Sequence, residues 1–479
     1  MRRFSLLTDL YPALILRLVL VLSLCFSASA LFSGPVAGKD EEEKTSPLQK
    51  TNQFIDIKEI RSPGGLTAWL VEDHSVPVIA MAIGFKNAGS KMDTPEKQGL
   101  AQLASNTMDE GAGDLDSQTF QGALQNLSIS LSFSSGRDNF GASLKTLTQN
   151  KERAFELLHL ALTRPRFDPE PVERMKIANL SRVKRSMSEP DWIASRIQFD
   201  RIFEGHPYAQ NSGGTLSTLQ ALTPDDLRIF VKRLGRNNLQ ISVAGDITAE
   251  ELSNVLDSVF GTLPEAALSQ TKPTTLANPG KTYFYEKDVP QTVIEMSQPG
   301  IARKDPDYQT AQVMNYVLGA SGFGSRLTEE VREKRGLTYG IYSYFMDYED
   351  AHVLHVSTST ATASVKEVIG LIRSEWSKMI EGDVSEKELQ DAKNYLIGSL
   401  PLSMTSTDKT AGLLLSIQMD DLPIDYLDKR QKAIEKTTIA DIRRVAERIL
   451  NPELFTTVLV GEKQDIEGAE KIENLKNVE

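Results

Sequence analysis

The sequence predicts an α+β chain of two homologous domains. Each is a mainly antiparallel sheet flanked by helices, and together they are arranged as half of a clamshell. Three observations carry this reading. Strand-like and helix-like periods are mixed along the chain, and neighbouring strand segments are often joined by short turns, which suits antiparallel sheets with helices packed on them. The element order of the first half returns in the second: residues 223–234 followed by 239–245 are mirrored by 438–450 followed by 455–461, with Gly245 and Gly461 216 positions apart. Between the copies, residues 263–281 hold Pro264, Pro273, Pro279 and Gly280, have no clear period, and read as a linker.

In chain order, residues 1–30 read as a signal peptide. Arg2, Arg3 and Arg17 precede an apolar run at 18–26, and Ala28-Ser29-Ala30 is a small-x-small cleavage site. The run is too short to span a bilayer comfortably, so a retained anchor is the alternative reading. Export to a bacterial periplasm is expected, with no stable membrane span after cleavage. The one cysteine, Cys25, lies in this segment, so the mature chain is expected to have no disulfide and no thiolate metal site. Residues 31–53 carry Asp40-Glu41-Glu42-Glu43 and little that is apolar, as in a disordered leader.

The first domain, 54–262, reads as strands at 54–60, 66–71 and 78–85, then a helix at about 96–108 with Leu100, Leu103, Ala104, Thr107 and Met108 as its stripe. Strands follow at 127–133 and 139–147, and helices at 151–162, 171–187 and 191–203. Thr223-Pro224 caps a helix, a strand occupies 239–244, and Thr248 to Glu251 is a capping box. The second domain, 282–462, replays this order: Val289-Pro290 opens a strand as Val76-Pro77 does, and a helix at 308–318 stands where 98–108 was. A strand at 353–357, a helix at 365–380 and a capping box from Ser385 to Glu388 follow. Residues 463–479 form a charged tail that adds at most a frayed helix.

Composition excludes some functions. The 479 residues are 40% hydrophobic and 25% charged with net charge −12, ordinary for a globular chain. There is no basic patch of the kind nucleic acid requires. No phosphate loop or serine elbow stands out.

The most informative stretch is Ser321-Gly322-Phe323-Gly324-Ser325 and the residues that follow it to Gly340. Gly322 and Gly324 make a flexible approach. Ser325 is a candidate N-cap, with Glu329 and Glu330 early in the helix and Lys334 and Arg335 at its end. Gly336 can end the helix in a left-handed conformation, and 337–345 alternates like a strand. Arg332 then sits on the last helical turn and Tyr339 at the start of the strand, close enough for the turn to aim both at one point. Taken alone, the two read as a surface arginine and a half-buried tyrosine.

The whole pattern closely resembles the second-half signature of the pitrilysin-like (inverzincin) metallopeptidases, which include mitochondrial processing peptidase and bacterial relatives. The resemblance covers roughly residues 54–462. It implies an Arg and a Tyr seven positions later, opposite the zinc, holding the substrate carbonyl, and Arg332 and Tyr339 match that spacing.

The same resemblance locates the expected zinc motif, H-x-x-E-H. Its two histidines share one helical face and its glutamate serves the metal-bound water. Here the helix reads Gly99-Leu100-Ala101-Gln102-Leu103-Ala104-Ser105-Asn106, and the resemblance resumes at Asp109-Glu110-Gly111. Gln102 and Asn106 stand at the ligand positions and Ser105 at that of the base. The third ligand, a Glu implied about 75 residues on, falls near Ser181-Arg182-Val183. Amides bind zinc poorly and a hydroxyl is a far weaker base than a carboxylate. None of the five histidines, His74, His159, His206, His352 and His355, offers a replacement; His352 and His355 are three apart on a probable strand and so face opposite sides.

The resemblance therefore implies the non-catalytic subunit of a heterodimeric zinc metallopeptidase. It would hold no cofactor of its own, with the zinc in a partner subunit bearing H-x-x-E-H. Arg332 and Tyr339 would act in trans on an extended peptide substrate paired along a sheet edge. The alternatives are a free-standing peptide-binding or scaffolding protein with a degenerate peptidase fold, and a peptidase without this metal site.

Overall fold

The computed structural model describes residues 54–267, 269–320, 324–476 and 478–479. The expected signal peptide and leader lie outside these residues, as does Gly322. Among the described residues no helix is long and apolar enough to cross a membrane.

Two six-stranded sheets form the framework. The first contains β1 (Lys58–Arg61), β2 (Thr67–Glu72), β3 (Val78–Phe85), β4 (Ser130–Ser135), β5 (Phe140–Leu147) and β6 (Leu239–Gly245), in the order β1-β2-β6-β3-β5-β4. The second contains β7 (Thr282–Glu286), β8 (Thr292–Pro299), β9 (Ile341–Asp347), β10 (His352–Thr360), β11 (Thr456–Gly461) and β12 (Ala469–Lys471), in the order β12-β7-β11-β8-β10-β9. Inside the first edge the two orders coincide, and so do the directions. β2 is parallel to β6 as β7 is to β11, while β3 and β8 run antiparallel to both of their neighbours. The sequence repeat is thus a repeat of topology.

The first edges differ. β1 pairs antiparallel with β2, whereas β12 runs parallel to β7. Because residues 469–471 form a strand, the frayed helix expected of the tail is replaced by pairing to an otherwise open edge, and Ile472 buries itself beside Tyr283.

Each sheet packs one face on helices of its own half. Ile79, Met81, Ile83 and Phe85 of β3 join the core beneath the helices Lys151–Thr163 and Ala249–Phe260. Ile294 and Met296 of β8 and Leu354 and Val356 of β10 do the same beneath Val365–Glu381, where Trp376 is fully buried. Thr223 and Thr438 cap equivalent helices, each in a reciprocal capping box with the Asp three residues on.

The opposite faces are covered by exchange. The helix Pro190–Ile202 of the first half lies on β8 and β11 of the second, burying Ile193, Ala194 and Ile197 against Val293, Val458 and Val460. The helix Thr407–Met419, to which the sequence reading assigned nothing, lies on β3 and β6 of the first. There Ala411 meets Ala80, Ala82 and Ala244, and Leu414 and Ile417 meet Trp69. Small residues alternate with large ones along β3, so one face is a core and the other a shallow bed for a helix. The contact repeats in detail: Gln198 Nε2 donates to Thr456 O at 3.2 Å, and Gln418 Nε2 donates to Ile241 O at 2.9 Å. Phe54, Ile55 and Ile57 pack into the cluster around Trp69 rather than extending β1, which begins at Lys58 and not at 54.

The helix expected at about 96–108 is shorter. A single 3-10 turn, Pro95–Lys97, precedes the α-helix Leu100–Ser105. Gly99 breaks the run with φ +87, a left-handed conformation in which a Cβ would stand 2.7 Å from the Gly214 backbone.

Candidate functional site

The short helix Leu100–Ser105 lies beside edge strand β4 and packs against the helix Pro169–Ser186. Its apolar stripe Leu100, Leu103 and Ala104 fixes its rotation. That rotation brings Gln102, Ser105 and Asn106 together, as their i, i+3 and i+4 spacing requires. Gln102 Nε2 donates to Ser105 Oγ and to Asn106 Oδ1, both at 3.2 Å, and Ser105 Oγ donates to Gln102 O at 2.8 Å. The three positions are therefore closed on one another. Neutral amides and a hydroxyl already spent on a backbone carbonyl do not fit a zinc ion. Among the described residues no group of three His, Cys, Asp or Glu side chains is placed to hold a metal. Ser181, Arg182 and Val183 lie on the neighbouring helix, where Val183 is buried and Arg182 exposed.

The second expected site is built on an irregular turn. Ser325 caps the helical segment as expected, its Oγ accepting from Thr328 N at 3.4 Å. The segment Thr328–Glu333 is a π-helical turn rather than an α-helix, and Arg332 sits on it, half-buried. Gly336 closes it with φ +63: Gly336 N donates to Arg332 O at 2.8 Å and Leu337 N to Val331 O at 3.0 Å. Glu330 takes up both Lys334 and Arg335, at 2.6 and 2.7 Å, and these bonds draw its carboxyl down to about 2. The Arg332 guanidinium stands 3.6 Å from Glu333, beyond a good hydrogen bond.

Tyr339 does not begin the strand, which starts at Ile341. Residues 337–340 are held by threonine side chains instead of a ladder. Thr360 Oγ1 donates to Leu337 O at 2.6 Å, Thr358 Oγ1 to Gly340 O at 2.8 Å, and Thr338 Oγ1 meets Thr358 Oγ1 at 2.9 Å. With Thr338 buried and Gly340 pinned, Tyr339 is turned outward and is 85% exposed. A tyrosine so exposed beside a fixed backbone is an uncommon use of a large aromatic. Thr338, Thr358 and Thr360 belong to no motif; their only signal in the sequence is clustering at the facing ends of two strand segments.

The histidines take structural partners. His355 is buried on β10, its Nδ1 2.7 Å from Ser297 Oγ and its Nε2 bonded to Glu295. His352, on the other face, pairs with Asp347, and His74 with Asp246. His159 has Nδ1 2.8 Å from Val259 O.

A duplicated sheet-and-helix unit, with amides where the resemblance implies zinc ligands, is the arrangement of a peptidase-like chain. Residues 70–212 match the family described as insulinase (peptidase family M16), and residues 221–396 match the peptidase M16 inactive domain. Together these span more than half of the chain, which belongs to the M16 peptidase family. A non-peptidase homologue, YmxG, of Helicobacter pylori is 25% identical over 373 residues, covering 78% of this chain and 86% of that protein. The mitochondrial-processing peptidase subunit beta of Saccharomyces cerevisiae is 22% identical over 379 residues, covering 74% and 80%. A crystal structure of a peptidase M16 inactive domain from Pseudomonas fluorescens matches with a TM-score of 0.80 at 26% identity, over 86% of this chain and 99% of that one.

Proposed function

We propose that this chain is the zinc-free subunit of a heterodimeric metallopeptidase, exported to the periplasm by a signal peptide cut after Ala30. In this reading it lends Arg332 and Tyr339 to an active site completed by a partner bearing H-x-x-E-H. The observation that carries the reading is a contrast within one chain. The ligand positions Gln102, Ser105 and Asn106 are spent on one another, while the Tyr339 phenol is 85% exposed on a pinned backbone.

The chemistry follows from what these side chains can donate. A phenol O–H and a guanidinium N–H directed at one carbonyl oxygen of an extended peptide gain strength as negative charge grows on it. The zinc belongs to the partner, and this chain contributes hydrogen bonds and positioning. That one relative is named a non-peptidase homologue and another a peptidase subunit supports a chain that works in company.

Co-expression with an H-x-x-E-H chain tests the proposal. The two should co-purify, and only the assembled pair should cleave a generic quenched peptide. Cleavage by this chain alone, or undiminished cleavage by the partner alone, contradicts it. Peptide binding without any catalytic partner would instead identify a free-standing binding protein. N-terminal sequencing of periplasmic material should begin near Leu31; unprocessed chain in the cytoplasm contradicts the export step.

A further inference from the structure

The helix Pro169–Ser186, which packs against the motif helix, carries an arginine where the third metal ligand is implied. We infer that Arg182, held by Asn179 and facing the Asn211–Gly214 loop, forms a binding site for a peptide carboxylate in place of the lost metal site. That the ligand is a peptide rests on the function proposed above; that it bears a carboxylate rests on the donors described here.

Four observations lead to this ligand. Arg182 Nη2 donates to Asn179 Oδ1 at 3.3 Å, and among the described residues no carboxylate forms an ion pair with it. Arginine forks are usually matched to a planar anion, so an arginine held by an amide alone has donors to spare. Asn179 is itself 5% exposed, and its Nδ2 is buried with no hydrogen-bond partner. The cluster is therefore rich in donors and short of acceptors.

The third observation is proximity. Gly213 lies beside the guanidinium with only a narrow gap between them: a Cβ placed on it would already be in ordinary contact with Arg182 Nη2 at 3.6 Å and Asn211 Oδ1 at 3.5 Å. Asn211 Oδ1 is occupied by Gly213 N at 3.1 Å and so does not neutralise the fork. The fourth is charge. Between Glu173 and Glu189 the chain carries Arg174, Lys176, Arg182, Lys184 and Arg185 and no acid; Arg174 pairs with Glu110 and Lys176 with Glu173 from outside that stretch, whereas Arg182 is held only by an amide. Lys184 and Arg185 lie in the last helical turn, where cations offset the helix dipole; Arg182 lies before it.

The motif helix and this helix thus form a corner from which the acids of a metal site are gone. A cation fixed to the protein stands where a cation bound by acids is implied. Such a corner attracts an acidic side chain or a chain terminus rather than a metal.

The test uses the purified chain and a fluorescein-labelled neutral peptide of Ala, Ser and Val in three forms: amidated, amidated with one internal Glu, and with a free C-terminal carboxylate. Anisotropy titrations at low salt should show one or both carboxylate forms binding about 10-fold more tightly than the neutral amide, the usual scale of a charge-assisted bond. Whichever form is preferred identifies the source of the carboxylate. Arg182→Gln should abolish the preference and leave thermal unfolding unchanged. Gly213→Leu, which fills the gap and keeps every charge, should abolish it as well. Equal binding of all three forms, no binding of any, or a preference that survives Arg182→Gln overturns the site. Tyr339→Phe should leave the preference untouched, so loss of turnover in the assembled pair and loss of carboxylate preference report on separate claims.

Discussion

The first and second halves share one framework but differ at the corner beside the last strand of each sheet. β3 begins at Val78 and β8 at Thr292, an offset of 214. Carried onto the motif helix, that offset takes Gln102 to Tyr316. In the first half the corner is an amide and hydroxyl cluster beside β4. In the second, Tyr316 packs against Tyr395 with the rings tilted and their centroids 4.8 Å apart, in a π-helical turn beside β9. The sheets and exchanged helices repeat because they carry the cores, where one methylene is felt. At the corners Gln102, Asn106 and Tyr316 are only half-buried, and such positions can diverge without unfolding the chain. The difference teaches that the fold is maintained by one set of residues and the chemistry by another.

The largest expected effect breaks the comparison at Tyr339. If this turn holds a substrate carbonyl, Tyr339→Phe in the reconstituted pair should lower turnover by about 100- to 1,000-fold, the usual cost of one oxyanion donor. It removes a hydroxyl and keeps the ring, so assembly should be unchanged. Arg332→Ala should lower turnover and weaken substrate affinity, and the double variant should lose less than the sum if both groups act on one oxygen. Near-wild-type steady-state cleavage by Tyr339→Phe would remove this role.

The next effect concerns the exchanged helices. Gln418 makes two buried bonds, to Ile241 O at 2.9 Å and Ser242 Oγ at 2.7 Å. Gln198 makes one at 3.2 Å and leaves its Oε1 buried without a partner. Gln418→Ala should therefore cost about 1–3 kcal/mol in urea unfolding, and Gln198→Ala about 1 kcal/mol or less. Equal losses would mean that the two exchanges are energetically equivalent despite their unequal bonding.

These contrasts separate what was legible in the sequence from what was not. The duplicated sheets could be read because period-2 and helical patterns recur with a nearly constant offset. The amide cluster could be read because Leu100, Leu103 and Ala104 fix the register around it. The exchange of Pro190–Ile202 and Thr407–Met419 could not, because an apolar stripe states that a helix is buried and not against which sheet. The turn at Tyr339 was misread as strand because alternation continues through 337–340 although Thr338, Thr358 and Thr360 replace the ladder there.

A smaller effect sets the halves against each other in acid. In the first half, burial pushes Asp93 and Asp109 up to about 6. In the second, burial opposes ionisation of Glu388, but its bonds to Arg326 and Ser385 prevail and bring it to about 2, like Glu330. A raised carboxyl binds its proton first in the folded state, so Asp93 and Asp109 should add stability as pH falls from about 6 toward 4. A lowered one binds it first in the unfolded state, so Glu388 and Glu330 should give up their contribution between about pH 4.5 and 2. Urea midpoints should hold or rise from pH 7 to 5 and fall below pH 4. Asp109→Asn should flatten the first limb and Glu388→Gln the second; a monotonic fall from pH 7 in the wild type would contradict the assignment.

The smallest expected effect is none. Gln102→His with Asn106→His restores two imidazoles on one helical face, the part of a zinc site that spacing alone provides. Neither a base nor a third ligand is restored. Ser105 still donates its hydroxyl to Gln102 O at 2.8 Å in the parent chain, and Arg182 places a guanidinium on the neighbouring helix. A guanidinium has no lone pair to give and so cannot serve as the third ligand. The parent chain, purified without chelator, should hold no stoichiometric zinc, and the double variant should show no peptidase activity with zinc added. Metal analysis and a quenched-peptide assay decide both. Recovered hydrolysis would mean that two imidazoles suffice at this corner, and that the first half lost its chemistry by two substitutions rather than by remaking the whole site around Arg182.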